Sequence, residues 1–425
     1  MITKSFQRGS PINNIQIYNS DERRTGIVFV MFCLWTFVLL CRPQDIFSFL
    51  VPIRPALVTG LLILGVMVAN LRNLSGPSLF QERQVKYYTL LLLIMVLGIP
   101  TSLYSRLSFM IIFTEYINTI MFFYIFYKVV DSVDELSTVL LIGCLGNGLY
   151  LAFSVMMGSI ASGRLSFGGM FDPNDLAFFA LVFLPLNLLF ISSDNPFWVR
   201  LTCLCTFGVG ILLVLLSGSR GALLALGVAF TLLLLKSKTI GHFSKALCVV
   251  LSLLIFSVSP INTERFMTLF SIQDDYNMQD ETGRLELWKI GVRSMLVNPF
   301  TGVGVGCFGN AVGLDREARG AATYRWQTAH NSIVQIGAET GVAGLTLFLL
   351  LSLNVFVIFN RLKKHAVSDK LIKIGEMGFV GFAGMFTSAM FLSQAYSLYW
   401  AFYVIISAVA NQLLVKEQAL TIGNE

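Results

Sequence analysis

Charge is scarce in this chain. Of 425 residues only 13% are Asp, Glu, Lys or Arg, while 55% are hydrophobic; soluble domains carry about 25% charged residues. A soluble globular protein is therefore excluded. Sustained apolar–polar alternation is missing from the long apolar runs, which excludes a β-barrel. Histidine is scarcer still, with only His242, His330 and His365. The seven cysteines fall mostly inside apolar runs, where cysteine behaves as a small hydrophobe. They show neither a disulfide framework nor zinc spacing. The net charge of +6 does not point to nucleic acid, because its placement explains it.

What is present is a series of apolar runs, many reaching the roughly 17–25 residues that cross a bilayer as a helix. The expected fold class is an all-α polytopic membrane protein of about twelve spans, at roughly 25–41, 54–71, 87–104, 108–128, 136–157, 174–192, 198–217, 221–236, 244–260, 341–360, 373–393 and 396–415. The connectors sort by charge. Eighteen basic residues, from Lys4 to Lys416, fall on one side, and the short connectors of the other side hold Arg42, Arg54, Arg106, Arg164 and Arg220. The positive-inside bias then places both termini in the cytoplasm. The divisions follow: a cytoplasmic segment 1–24, spans 25–260, a large outward loop 261–329, spans 330–415 and a tail 416–425. No cleavable signal precedes the first span, which is expected to stay as an anchor. Within the loop, about 281–298 reads as an amphipathic helix capped by Asp280 and ended by Pro299, with Leu285, Trp288, Val292, Met295 and Leu296 as its apolar stripe. Such a helix would lie on the membrane surface or roof the bundle.

Outward-facing arginines run against that topological bias. Arg220 sits in Ser217-Gly218-Ser219-Arg220, a hairpin with almost no loop, and Arg164 shortly precedes Phe171-Asp172-Pro173-Asn174. Arginine forks suit phosphate and stay charged, whereas the bland alternative is snorkelling to lipid headgroups. Most loop arginines are expected to be solvated or paired with neighbouring carboxylates. Arg284, at the start of the amphipathic helix, is preferred for an anion site. Gly304-Val305-Gly306-Cys307-Phe308-Gly309 matches a dinucleotide fingerprint but has no strand–helix context, so a tight turn is the better reading. Asp274, Asp275, Asp280 and Glu281 read as a solvated acidic loop rather than a metal site. Glu115 is a charge inside a span. His242 and His365 lie among lysines and read as solvated. His330 stands where the polar loop meets an apolar helix. On a continuous helix it shares a face with Val334, Gly337, Gly341 and Gly344, with Glu339 on the opposite side; Gly337 and Gly341 make a close-packing GxxxG pair.

The run His330-Asn331, nine residues, Gly341-x-x-Gly344 resembles the signature of O-antigen ligases, and Arg220-x3-Leu224 resembles their short arginine motif before a span. Phe171-Asp172-Pro173-Asn174 and Gly302-Val303-Gly304-Val305-Gly306 are similar to recurrent features of the wider O-antigen ligase/polymerase superfamily. The resemblance covers about residues 155–350. It implies a metal-independent, cofactor-free membrane glycosyltransferase in a bacterial inner membrane. Its donor would be a glycan on undecaprenyl diphosphate, taken at the periplasmic face. It puts the essential histidine at His330 and the first arginine at Arg220. A large-loop arginine is expected at Arg284, with Arg265 and Arg325 as alternatives, and Arg164 is the expected earlier-loop counterpart. The acceptor would be lipid A core for a ligase, or a growing polysaccharide for a polymerase. A polysaccharide transporter or flippase, resting on Glu115, is the reading from another class.

Overall fold

The computed structural model describes residues 11–69, 80–169, 172–192, 194–237, 241, 245–246, 249–250, 282–320 and 326–422. The chain is built of α1 (Pro11–Cys41), α2 (Pro55–Ala69), α3 (Arg83–Leu97), α4 (Ser105–Met110), α5 (Ile117–Val129), α6 (Val133–Met157), α7 (Pro173–Asn187), α8 (Phe197–Leu216), α9 (Arg220–Lys236), α10 (Arg284–Val297), α11 (Phe308–Ala318), α12 (Ser332–His365), α13 (Asp369–Ala389) and α14 (Leu398–Ile422). An antiparallel hairpin, β1 (Ser159–Ala161) and β2 (Arg164–Ser166), pairs Ile160 with Leu165 between α6 and α7.

Among the described residues, six helices are long and apolar enough to cross a membrane: Gly26–Ile46, Val133–Met157, Pro173–Phe190, Phe197–Leu216, Ser332–His365 and Leu398–Thr421. A seventh is added if Ser105–Glu115 and Ile117–Val129, which meet at 42°, count as one broken span. The expectation of twelve is therefore met only in part. α2, α3 and α9 are apolar but only 15, 15 and 17 residues long. In α13, Lys370, Lys373, Glu376 and several glycines dilute the hydropathy. The expected span at 244–260 falls almost wholly outside the described residues.

The core is aromatic. Phe32 and Trp35 of α1 pack on Phe122 of α5, while Phe402 of α14 bridges to Phe122 and to Phe183 of α7. α12 packs against α3, α10, α13 and α14. Lysines collect at the end of the bundle away from His330: Lys370 pairs with Asp134 at 2.5 Å, Lys373 with Asp194 at 3.4 Å and Lys416 with Asp131.

Glu115 falls within the broken span, on the exposed side of its π-turn (Ile111–Glu115). Three local expectations change. α10 buries Leu287, Ile290 and Gly291, and leaves Val292 and Leu296 exposed, so its inward face is not the anticipated stripe. Its N-cap is Gly283, with no side-chain cap bond.

The third change concerns α12, which is not straight. Gly341 has φ 71° and ψ −171°, a conformation that opens the helix and that residues with a Cβ rarely adopt. A Cβ there would also collide with the Pro299 carbonyl. The opened turn is closed from outside: Val303 N–H donates to Ala338 O (2.8 Å), Gly304 N–H to Glu339 O (3.1 Å), and Val342 N–H to Pro299 O (2.7 Å). The glycine-rich 302–306 run is thus a docking loop for a kinked helix.

Candidate functional site

Helix starts are held by side chains that the local sequence supplies. Asp172 caps α7 by accepting from Asn174 N–H and Asp175 N–H, with Pro173 at the first helical position. Ser219 caps α9 through Ala222 N–H, so Arg220 is its first residue. Asn331 caps α12 through Ile333 N–H and Val334 N–H. His330 is therefore not on the helix. It precedes the cap at φ 46°, a left-handed conformation costing roughly 1–2 kcal/mol for a residue with a Cβ. The helical-face argument does not apply to it. Gly337, on the helix proper, faces Met295 of α10.

The loop between α13 and α14 holds that strained residue. His330 N–H donates to Ser393 Oγ at 2.9 Å. Ser332 Oγ donates to Leu392 O and accepts from Gln394 N–H, at 2.8 and 3.0 Å. The Gln394 side chain donates to Asp175 of α7 at 2.7 Å, and Phe391 lies against Gly221, next to Arg220. From the other side, Trp288 of α10 donates to Ala329 O at 3.1 Å. Arg284 is one helical turn before Trp288, on the same face. Arg164 of β2 donates through Nε to Ser217 O at 2.8 Å and through Nη2 to Asn174 Oδ1 at 2.7 Å.

These contacts gather Arg164, Arg220, Arg284 and His330 at one end of the bundle. Arg265 and Arg325 lie outside the described residues, as do Asp274, Asp275, Asp280, Glu281 and His242. Arg293 and Arg319 are committed to ion pairs between α10 and α11: Arg293 to Asp315 at 2.5 Å, Arg319 to Glu286 at 2.8 Å. His365 ends α12, exposed at the opposite end.

Half-buried His330 titrates below an ordinary imidazole. Burial is the main cause and the nearby Arg284 charge adds to it, while Asp172 pulls the other way. A neutral imidazole with the Arg284 guanidinium nearby can accept a proton while the cation neutralises an anion. Among the described residues, no group of three or more His, Cys, Asp or Glu is arranged to hold a metal ion.

Residues 205–349 match the family described as O-antigen ligase. The match supports a likeness of this stretch to the O-antigen ligase/polymerase superfamily. The match spans about a third of the chain and contains Arg220, Arg284, His330 and the Gly341 kink. Arg164, Asp172, Ser393 and Gln394 lie outside it, so the resemblance expected from residue 155 is supported from 205 onward. No curated protein matches the chain. With the membrane helices, the family supports a membrane protein with an O-antigen ligase/polymerase-type role in glycan assembly.

Three residues were not anticipated from the sequence. Ser393 and Gln394 sit about sixty residues after His330 in an unremarkable polar break, and no local pattern points back to it. Glu339, placed on the face away from His330, is buried and accepts from Phe308 N–H at 3.1 Å. It caps α11, whose N-cap residue Cys307 makes no side-chain cap bond. A carboxylate flanked by glycines in an apolar helix was the available signal.

Proposed function

We propose that the protein is a glycosyltransferase that moves a glycan from undecaprenyl diphosphate to an acceptor sugar hydroxyl at the periplasmic face of a bacterial inner membrane. The observation that carries the reading is the gathering of His330, with its lowered pKa, among Arg164, Arg220 and Arg284. Neutral His330 takes the acceptor hydroxyl proton as the oxygen attacks the anomeric carbon. The bond from that carbon to the diphosphate breaks, and the lipid diphosphate leaves from the opposite face. The anomeric centre inverts. The three arginines stabilise the negative charge growing on the diphosphate, a role that needs no metal, so a chelator is expected to leave turnover unchanged.

A general base of this kind contributes on the order of 10²–10⁴-fold. His330→Ala is expected to lose that factor when the purified protein, in lipid nanodiscs, is given lipid-linked glycan. Near-wild-type turnover overturns the base role. Offering lipid A core or a second lipid-linked repeat unit as acceptor distinguishes ligase from polymerase. A flippase would move lipid-linked glycan across the bilayer without forming a glycosidic bond.

A further inference from the structure

We infer that the C-terminal end of α10 and the turn after it are inserted into the outer edge of the lipid bilayer, with Phe300 as the anchor. Four large apolar side chains here are largely exposed: Leu296, Val297 and Phe300 are 66, 72 and 80% exposed, and Val292 is 46% exposed. The partner is identified by what flanks Phe300 on both sides. On one side, Pro299 O accepts from Val342 N–H at 2.7 Å. Val342 opens an exposed row that runs down the spanning part of α12 through Leu349, Leu353 and Val357, at the spacing of one helical face. On the other side, Thr301 Oγ1 accepts from Thr101 Oγ1 at 3.0 Å, close to Gly98, which ends α3. α3 in turn exposes Leu90, Leu93 and Leu97 along one face. Phe300 thus sits at the rim where two outward-facing apolar stripes begin. A surface continuous with such stripes meets the same solvent as they do, and for α12, long and apolar enough to cross a membrane, that solvent is acyl chain.

The anchor has a consequence that rests on the proposed function. α10 is 14 residues long, about 20 Å, and carries Arg284 at its far end. Holding its tail in the bilayer rim would set the height of Arg284 above the lipid, where the diphosphate of a lipid-linked donor lies.

The test introduces Phe300→Trp and, separately, Val297→Trp into the full chain. Each is placed in nanodiscs containing phospholipid brominated either close to the headgroup or deep in the acyl chains. Relative to the parent protein, the added emission is expected to be blue-shifted and quenched more by the shallow bromines than by the deep ones. Emission at the water-exposed wavelength that neither lipid quenches, in both variants, overturns the insertion. Blue-shifted but unquenched emission also overturns it, in favour of contact with a second copy. The readout needs no turnover, so its failure leaves the transferase reading standing, and an inactive His330→Ala protein can be tested in the same way.

Discussion

His330 is held in an unfavourable backbone state by a neighbour remote in sequence. Ser393 accepts its N–H, so Ser393→Ala removes that acceptor and frees the loop to relax. A lost hydrogen bond of this kind costs about 1 kcal/mol, and turnover is expected to fall roughly five- to ten-fold at unchanged KM, with Ser393→Thr retaining more. A KM effect alone would count against positioning. The acid limb of kcat/KM carries a second test. As the proposed base His330 would have to be neutral, and its pKa lies below the ordinary value of about 6.5. Activity is therefore expected to be full above that pH and to fall only below it. Arg284→Gln removes a positive neighbour, raises the imidazole pKa and moves the limb to higher pH. Asp172→Asn removes a negative one and moves it lower. Limbs that stay put in both variants would separate His330 from the titration.

At the scale of the element, the break in α12 matters more than its length. The kink requires a left-handed residue, and the Pro299 carbonyl occupies the space a side chain would need. Gly341→Ala is expected to destabilise the protein by about 2 kcal/mol or more, read as a lower melting temperature in detergent. Glu339→Gln keeps an acceptor for Phe308 N–H and should be mild. Glu339→Leu strands that buried donor and should cost about 1–3 kcal/mol. Equal melting temperatures for the two would show that Glu339 is not the cap of α11. The starts of α7 and α9 were legible to within a residue, because Asp172-Pro173 and Ser219 cap by short-range chemistry; the cap at Asn331, which leaves His330 off the helix, was not anticipated. The break was not, because Gly337, Gly341 and Gly344 fit a close-packing helix as well as a kinked one. The choice was made by a loop forty residues earlier that satisfies the opened carbonyls.

Over the whole molecule, the paired lysines gather at the end opposite His330, the distribution that the positive-inside bias reads as a cytoplasmic face. A C-terminal reporter is expected to be active in the cytoplasm, and Thr328→Cys, at an exposed position, to react with an impermeant maleimide from the periplasm. The reverse pattern would invert the proposed topology. Composition was enough to establish a helical membrane protein, since apolar length and scarce charge act locally on each segment. The spacing from His330 to Gly344 was enough to point to the family. Composition did not separate full spans from short apolar helices, because the 15–17 residues of α2, α3 and α9 are apolar enough to look like spans. Nor did the order of residues reveal that Arg164, Asp172, Ser393 and Gln394 gather at the histidine's end of the bundle, since they come from segments separated by up to 230 positions. Those neighbours exist because α7, α9, α12 and the break before α14 begin or end at the same height, and packing between helices, unlike capping within one, leaves no trace in any short stretch of chain.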